Sequence, residues 1–204
     1  MRAGRTGWRW RFAVAVVASV VASLACSAAA AQPAAPARLA TCLACHGADG
    51  QSAVPLSPSL AAQPRVFLEN TLVLIREGLR DVPVMKGLLD GASDAELVAL
   101  AAHFAQFPPP SSGVVADAAR ARRGAELARR GLCANCHESD YRGRAQIPRL
   151  AQQREDYLLA GLRLFRSGVT PGRDSIMSAT VHGLTDVDLA DLAHYLATFS
   201  PPRP

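Results

Sequence analysis

The sequence predicts an all-α protein assembled from two tandem copies of one small helical unit. Three observations predict it. Apolar residues recur at helical spacing in segments that open on capping residues and stop before proline. No stretch of useful length alternates polar and apolar residues as a strand would. The segments also occur twice, with matching residues 90 to 92 positions apart along most of the 204-residue chain.

The first 31 residues belong to neither copy. Arg2, Arg5, Arg9 and Arg11 form a positive start, an apolar run follows from Phe12 to Ala25, and small residues close it at Ala28 to Ala31. This is the pattern of a secretory leader, with the cut expected near Ala31-Gln32. The positive region has no adjacent arginine pair, which favours general secretion over twin-arginine export. Two alternatives stay open: a retained membrane anchor, since 12–31 is long enough to span a bilayer, and lipidation at Cys26.

The mature chain then reads as helices joined by loops. Only about Ala34 to Ala40 precedes Cys42, so the first helix of copy one is expected to be short. A helix is expected over about Val66 to Gly78, with its counterpart over about Glu155 to Gly168. Ser93 and Thr185 are N-cap candidates, each with an acid three residues on, Glu96 or Asp188. Leu97, Leu100, Ala101 and Phe104 follow at helical spacing in one copy, and Leu189, Leu192, Ala193 and Leu196 in the other. These helices stop before Pro108 and Pro201. Asp117 to Arg130 is a further helix, the full N-terminal helix of the second copy, with Gly124 and Leu127 available to pack on the last helix. Pro108-Pro109-Pro110-Ser111-Ser112-Gly113 favours an extended, semi-rigid connection. The expected organisation is therefore a leader at 1–31, domain one at 32–107, a linker at 108–113 and domain two at 114–204.

Matching segments strengthen the duplication. Pro58-Ser59-Leu60-Ala61-Ala62-Gln63 corresponds to Pro148-Arg149-Leu150-Ala151-Gln152-Gln153. Phe67-Leu68, Leu72, Arg76 and Gly78 correspond to Tyr157-Leu158, Leu162, Arg166 and Gly168.

The chemistry lies in a motif that also occurs twice, Cys42-Leu43-Ala44-Cys45-His46 and Cys133-Ala134-Asn135-Cys136-His137. Apart from the initiator, the only methionines are Met85 and Met177, 39 and 40 residues after the two histidines. Two cysteines separated by two residues lie one helical turn apart, which suits thioether bonds to the two vinyl groups of haem. The adjacent histidine then faces the iron, and the methionine thioether supplies the opposite ligand. The parts fit two covalently attached haem c groups, each with both axial positions filled. Such an iron passes single electrons and offers no position to a substrate. A haem would also supply the apolar core that each small unit could scarcely build alone.

Zinc and dithiol readings of the same cysteines fit less well. A zinc site would draw four ligands together, and the motifs form two distant clusters of three. A dithiol enzyme would not call for the histidines. His103, His182 and His194 compete for the sixth position, but none has a counterpart in the other copy, so each is expected to be a surface or packing residue.

Charge excludes one function class. The formal net charge is +5 and the pI about 9.3. The four leader arginines account for most of the excess, and haem propionates would offset the rest, so the high pI is no sign of nucleic-acid binding. The copies differ: residues 32–107 carry −2 and residues 108–204 carry +3. Either the two ends steer different partners, or Arg120, Arg122, Arg123, Arg129 and Arg130 form a solvated helix face partly paired with Glu126. The second reading is slightly favoured.

The mature chain resembles the di-haem class I cytochromes c of the cytochrome c4 type (cytochrome c553-like). The residues that carry the resemblance are both Cys-x-x-Cys-His motifs, His46-Gly47-Ala48-Asp49-Gly50, the Pro-x-Leu-Ala-x-Gln segments at Pro58 and Pro148, Phe165-Arg166-Ser167-Gly168, Met177, and Leu192-Ala193-His194-Tyr195-Leu196. The resemblance implies two tandem class I cytochrome c domains packed face to face, with electron exchange between haems. It also implies that the carbonyls of Pro58 and Pro148 accept a hydrogen bond from the imidazoles of His46 and His137.

The expected function is that of a periplasmic electron carrier, not an enzyme, linking a quinol-oxidising complex to a terminal oxidase or reductase. The alternative is a cytochrome subunit of a dehydrogenase, and peripheral membrane association stays open. A di-haem peroxidase ranks last, because it needs an accessible iron position and a longer chain.

Overall fold

The computed structural model describes residues 36–168 and 172–200. The expected leader with Cys26, residues 32–35, and the stop at Pro201 lie outside the described residues.

Among the described residues the chain is helical, with a single isolated bridge between Arg144 and Ile147. In order, the helices are α1 (Leu39–His46), α2 (Arg65–Arg76), a 3-10 turn (Pro83–Met85), α3 (Asp94–Ala105), α4 (Ala118–Arg130), α5 (Ala134–His137), α6 (Glu155–Arg166), α7 (Ser175–Val181) and α8 (Asp186–Thr198). No helix among the described residues is long and apolar enough to cross a membrane.

Local chemistry accounts for the boundaries. The Ser93 hydroxyl accepts from the Glu96 backbone at 3.2 Å and starts α3. Thr185 starts α8 with a full capping box, its hydroxyl on the Asp188 backbone and the Asp188 carboxylate on its own N–H. Asp117 caps α4 through the N–H groups of Ala119 and Arg120, and Asp174 caps α7 through that of Ile176. Each cap satisfies a backbone donor that the first helical turn leaves open.

The duplication extends to the backbone. Gly47, Gly50 and Ala62 are left-handed, and so are Glu138, Tyr141 and Gln152, 90 or 91 positions on. Leu60 and Ala61 donate to the Gly50 carbonyl, just as Leu150 and Ala151 donate to that of Tyr141. Four of these six residues carry a side chain, and a side chain in that conformation costs about 1 kcal/mol. The turn that follows each Cys-x-x-Cys-His motif is thus built to one plan.

The copies differ in their cores. In the second, Leu127, Ala128, Leu158, Leu162, Leu189, Leu192 and Leu196 belong to one buried cluster. Its α4 lies against α8. In the first copy, one cluster gathers Leu68, Ala101 and Phe104, and another Leu89, Ala92 and Leu97. Here α1 is itself the Cys-x-x-Cys-His helix, and Arg38 pins its start to α3. The Arg38 guanidinium pairs with Glu96 and also donates to the carbonyls of Leu88 and Asp90. The arginine thus ties the residue ahead of α1 to α3 and to the turn before it.

The arginine-rich face of α4 is more than a solvated surface. Arg120 reaches Glu155 at 2.7 Å and Asp191 at 3.4 Å, and Arg123 reaches Asp191 at 2.5 Å, so both join α4 to its neighbours. Arg129 and Arg130 pair with Glu126, as the solvated reading expects.

Candidate haem sites

Each Cys-x-x-Cys-His motif ends in a buried histidine fixed from behind. His46 Nδ1 lies 2.8 Å from the Pro58 carbonyl oxygen, and His137 Nδ1 lies 2.9 Å from that of Pro148. A carbonyl can only accept, so each Nδ1 carries the proton and each Nε2 is the basic nitrogen. Neither Nε2 has a hydrogen-bond partner among the described residues. Burial holds both imidazoles below their ordinary pKa, against a smaller upward pull from the proline carbonyls. Both rings are therefore neutral at pH 7, the form that binds a metal. The sites differ in one respect: Ser57 Oγ makes a longer contact of 3.4 Å with His46 Nδ1, where the second copy has Ile147.

The four motif cysteines, the ones among the described residues, form no disulfide. Cys42 and Cys133 are half-buried, and burial pushes both thiols up, while Cys45 and Cys136 are exposed. The first and fourth positions of each helical turn are thus presented as thiols beside the histidine. A recess of about 390 Å³ opens beside Cys133, lined by Leu127, Thr180, Val181, Leu184 and Leu192 among others.

Both methionines sit on short helices. Met85 ends the 3-10 turn and packs on Leu89, Ala92 and Leu97. Met177 lies in α7 and packs on the same core as Cys133. In the first copy Cys42 and Met85 touch different clusters, and Leu72 packs against both.

Two further side chains suit haem, and the sequence reading passed over them. Arg80 Nε is a buried donor with no partner. Arg173 is held below its ordinary pKa first by burial and then by the charge of Arg80. Among the described residues no salt bridge reaches either guanidinium. They lie shortly before Met85 and Met177, and two unneutralised cations there match the carboxylates that haem carries. Their signal was an arginine before each methionine.

The rival histidines differ in their surroundings, and the buried Nε2 of His103 has no hydrogen-bond partner. His194 is 2 % exposed, accepts from the Asp117 backbone at 2.9 Å and meets Glu155 at 2.9 Å. His103 packs edge-on against Phe104 and Phe107. His182 is exposed at the end of α7.

Residues 121–200 match the cytochrome c family. The chain is 34% identical over 170 residues to cytochrome c4 of Pseudomonas aeruginosa, covering 78% of this chain and 84% of that one. The chain belongs to the cytochrome c4 family. The crystal structure of reduced recombinant cytochrome c4 from Pseudomonas stutzeri is similar, with a TM-score of 0.75 and 33% identity over 82% of this chain and 97% of that one. The thiosulfate dehydrogenase electron acceptor of Thiomonas intermedia is 30% identical over 175 residues, covering 80% of this chain and 81% of that one. As a cytochrome c4 relative the protein is a pair of class I cytochrome c domains with two covalent haem c groups, and its activity is electron transfer.

Proposed function

We propose that the protein is an exported carrier passing single electrons between a respiratory donor, such as a quinol-oxidising complex, and an acceptor such as a terminal oxidase. Residues 1–31 serve as the leader, 32–107 and 114–204 as the two haem domains, and 108–113 as the linker. Cys42 and Cys45 hold one haem and Cys133 and Cys136 the other. His46 with Met85, and His137 with Met177, would ligate the two irons, and Pro58 and Pro148 orient the histidines.

One observation carries the reading: twice in the chain, a buried neutral imidazole after a Cys-x-x-Cys turn is locked by a proline carbonyl with its Nε2 unpartnered. When bound, haem supplies a one-electron couple between ferric and ferrous iron. The chain's residues decide how that couple is used. The proline carbonyls fix ring orientation and raise the donor strength of Nε2. The thioethers of Met85 and Met177 are soft donors that favour the reduced state.

A second reading is an electron-accepting partner of a dehydrogenase. The similarity to a protein named thiosulfate dehydrogenase electron acceptor favours it. Rapid-mixing reduction of the oxidised protein by a membrane quinol-oxidising complex, and separately by thiosulfate dehydrogenase, distinguishes the two. Ligation is tested by the weak near-infrared band of ferric iron bound to a thioether. Met85→Ala and Met177→Ala should each remove about half of it. A full band in either variant would exclude that methionine as a ligand.

A further inference from the structure

The two copies exchange glutamines. Gln63 of the first copy grips the backbone of Arg149: its Nε2 donates to the Arg149 carbonyl at 3.0 Å, and its Oε1 accepts from the Arg149 N–H at 3.0 Å. Gln153 of the second copy grips the backbone of Ser59 in the same way, both bonds at 2.8 Å. All four residues are buried, with Gln63 and Gln153 at 5 % and 3 % exposure.

The peptide units involved are the ones behind the histidines. The Ser59 N–H and the Pro58 carbonyl belong to a single planar amide, and so do the Arg149 N–H and the Pro148 carbonyl. At one end each amide accepts from its own domain's histidine, and at the other it donates to the other domain's glutamine. A hydrogen bond at the N–H of an amide polarises it and makes its carbonyl a better acceptor. A stronger acceptor on Nδ1–H leaves more electron density at Nε2.

We infer that Gln153 tunes the reduction potential of the haem bound by His46, and that Gln63 tunes that of the haem bound by His137, each from across the domain interface. The inference rests on His46 and His137 being the axial ligands. Gln63 and Gln153 are positioning residues: they touch neither cofactor ligand and act through one peptide unit each. Their polarisation of the amide favours the ferric state of the haem in the opposite domain. Burial of all four residues limits the screening of that effect.

The test is a spectroelectrochemical titration of the holoprotein, with each midpoint assigned through the paramagnetically shifted methyl resonances of Met85 and Met177. Gln153→Met keeps the side-chain bulk and removes both hydrogen bonds. It should raise the midpoint of the haem on His46 and leave the other in place. Gln63→Met should do the reverse. The equilibrium constant for electron distribution between the haems should shift about two- to fivefold, in opposite directions for the two variants. Gln153→Glu, measured at a pH low enough to protonate its carboxyl, can both accept and donate and should restore the wild-type midpoints. Movement of the haem in the variant's own domain, equal movement of both, or movement of neither overturns the inference. If one variant fails to assemble, the other still decides between these outcomes. The near-infrared thioether band and the Nδ1–H resonances of His46 and His137 are recorded on the same samples. Their loss in the unsubstituted protein would refute the ligand assignment, whereas intact bands with uncrossed midpoints refute only the tuning.

Discussion

A Cβ placed on Gly124 would lie 2.2 Å from the Asp191 carbonyl oxygen and 2.5 Å from Tyr195 Cβ. The backbones of α4 and α8 therefore meet at a point where only glycine fits. In the interior of a helix, alanine is ordinarily favoured over glycine by about 1 kcal/mol. Here the overlap is with rigid backbone, so the clash outweighs the propensity. Gly124→Ala should destabilise the protein by about 1–3 kcal/mol. Thermal unfolding followed by circular dichroism measures it, and an unchanged or higher midpoint would show that the helices can separate freely.

The same crossing sets an acid limit on stability. Asp191 is buried, and its carboxyl is held below the ordinary 3.8 mainly by the hydrogen bond from Arg123. A carboxylate whose pKa is lowered on folding contributes stability that is fully present above about pH 4 and lost as pH falls through the folded value. Asp191→Asn should cost about 1–3 kcal/mol at pH 7 and flatten the acid limb of the stability curve. Denaturant titrations at pH 7 and pH 3 check both parts; an Asn variant that loses as much on acidification as the parent would assign the limb to other groups.

The capping box of α8 should be worth more than the simple cap of α3. Thr185 makes reciprocal bonds with Asp188, whereas Ser93 only accepts from Glu96. Ser93→Ala should cost about 1 kcal/mol, near the middle of the range for caps, and Thr185→Ala should cost more. Equilibrium unfolding of the two variants compares them directly, and the reverse order would mean that the bond from the Thr185 hydroxyl to the Asp188 carboxylate adds nothing.

Covalent attachment is separable by copy. Replacing Cys133 and Cys136 together with alanine should leave a chain with one covalent haem and an unaltered first site. Intact-mass spectrometry under denaturing conditions should show a loss of one haem. Retention of both would place the second attachment elsewhere.

How much was legible in the sequence varies with the range of the interaction. Ser93 and Thr185 announced α3 and α8 because a cap and its first turn are neighbours along the chain. The turns at 83–85 and 175–181 left no sign in the sequence, because so few residues show no apolar period. Gln63 and Gln153 were visible only as repeat markers. Their partners lie 86 and 94 residues away, and no local pattern says that a polar side chain will cross an interface. Arg120 and Arg123 looked like surface charge for the same reason: Asp191 lies about 70 residues on. The imidazole–proline contacts came from a family resemblance, since a carbonyl 11 or 12 residues downstream carries no residue-type signal of its own.

The tether between the copies is itself bound down. Ser111 donates from its backbone to Gln51, and Ser112 donates to Gln152 through its N–H and to the Ala197 carbonyl through its hydroxyl. A loose tether would let the two centres drift, and internal exchange would then wait on diffusion of one domain past the other. With both serines anchored, the gap the electron must cross is set by hydrogen bonds, so the exchange rate should hold steady as glycerol thickens the solvent.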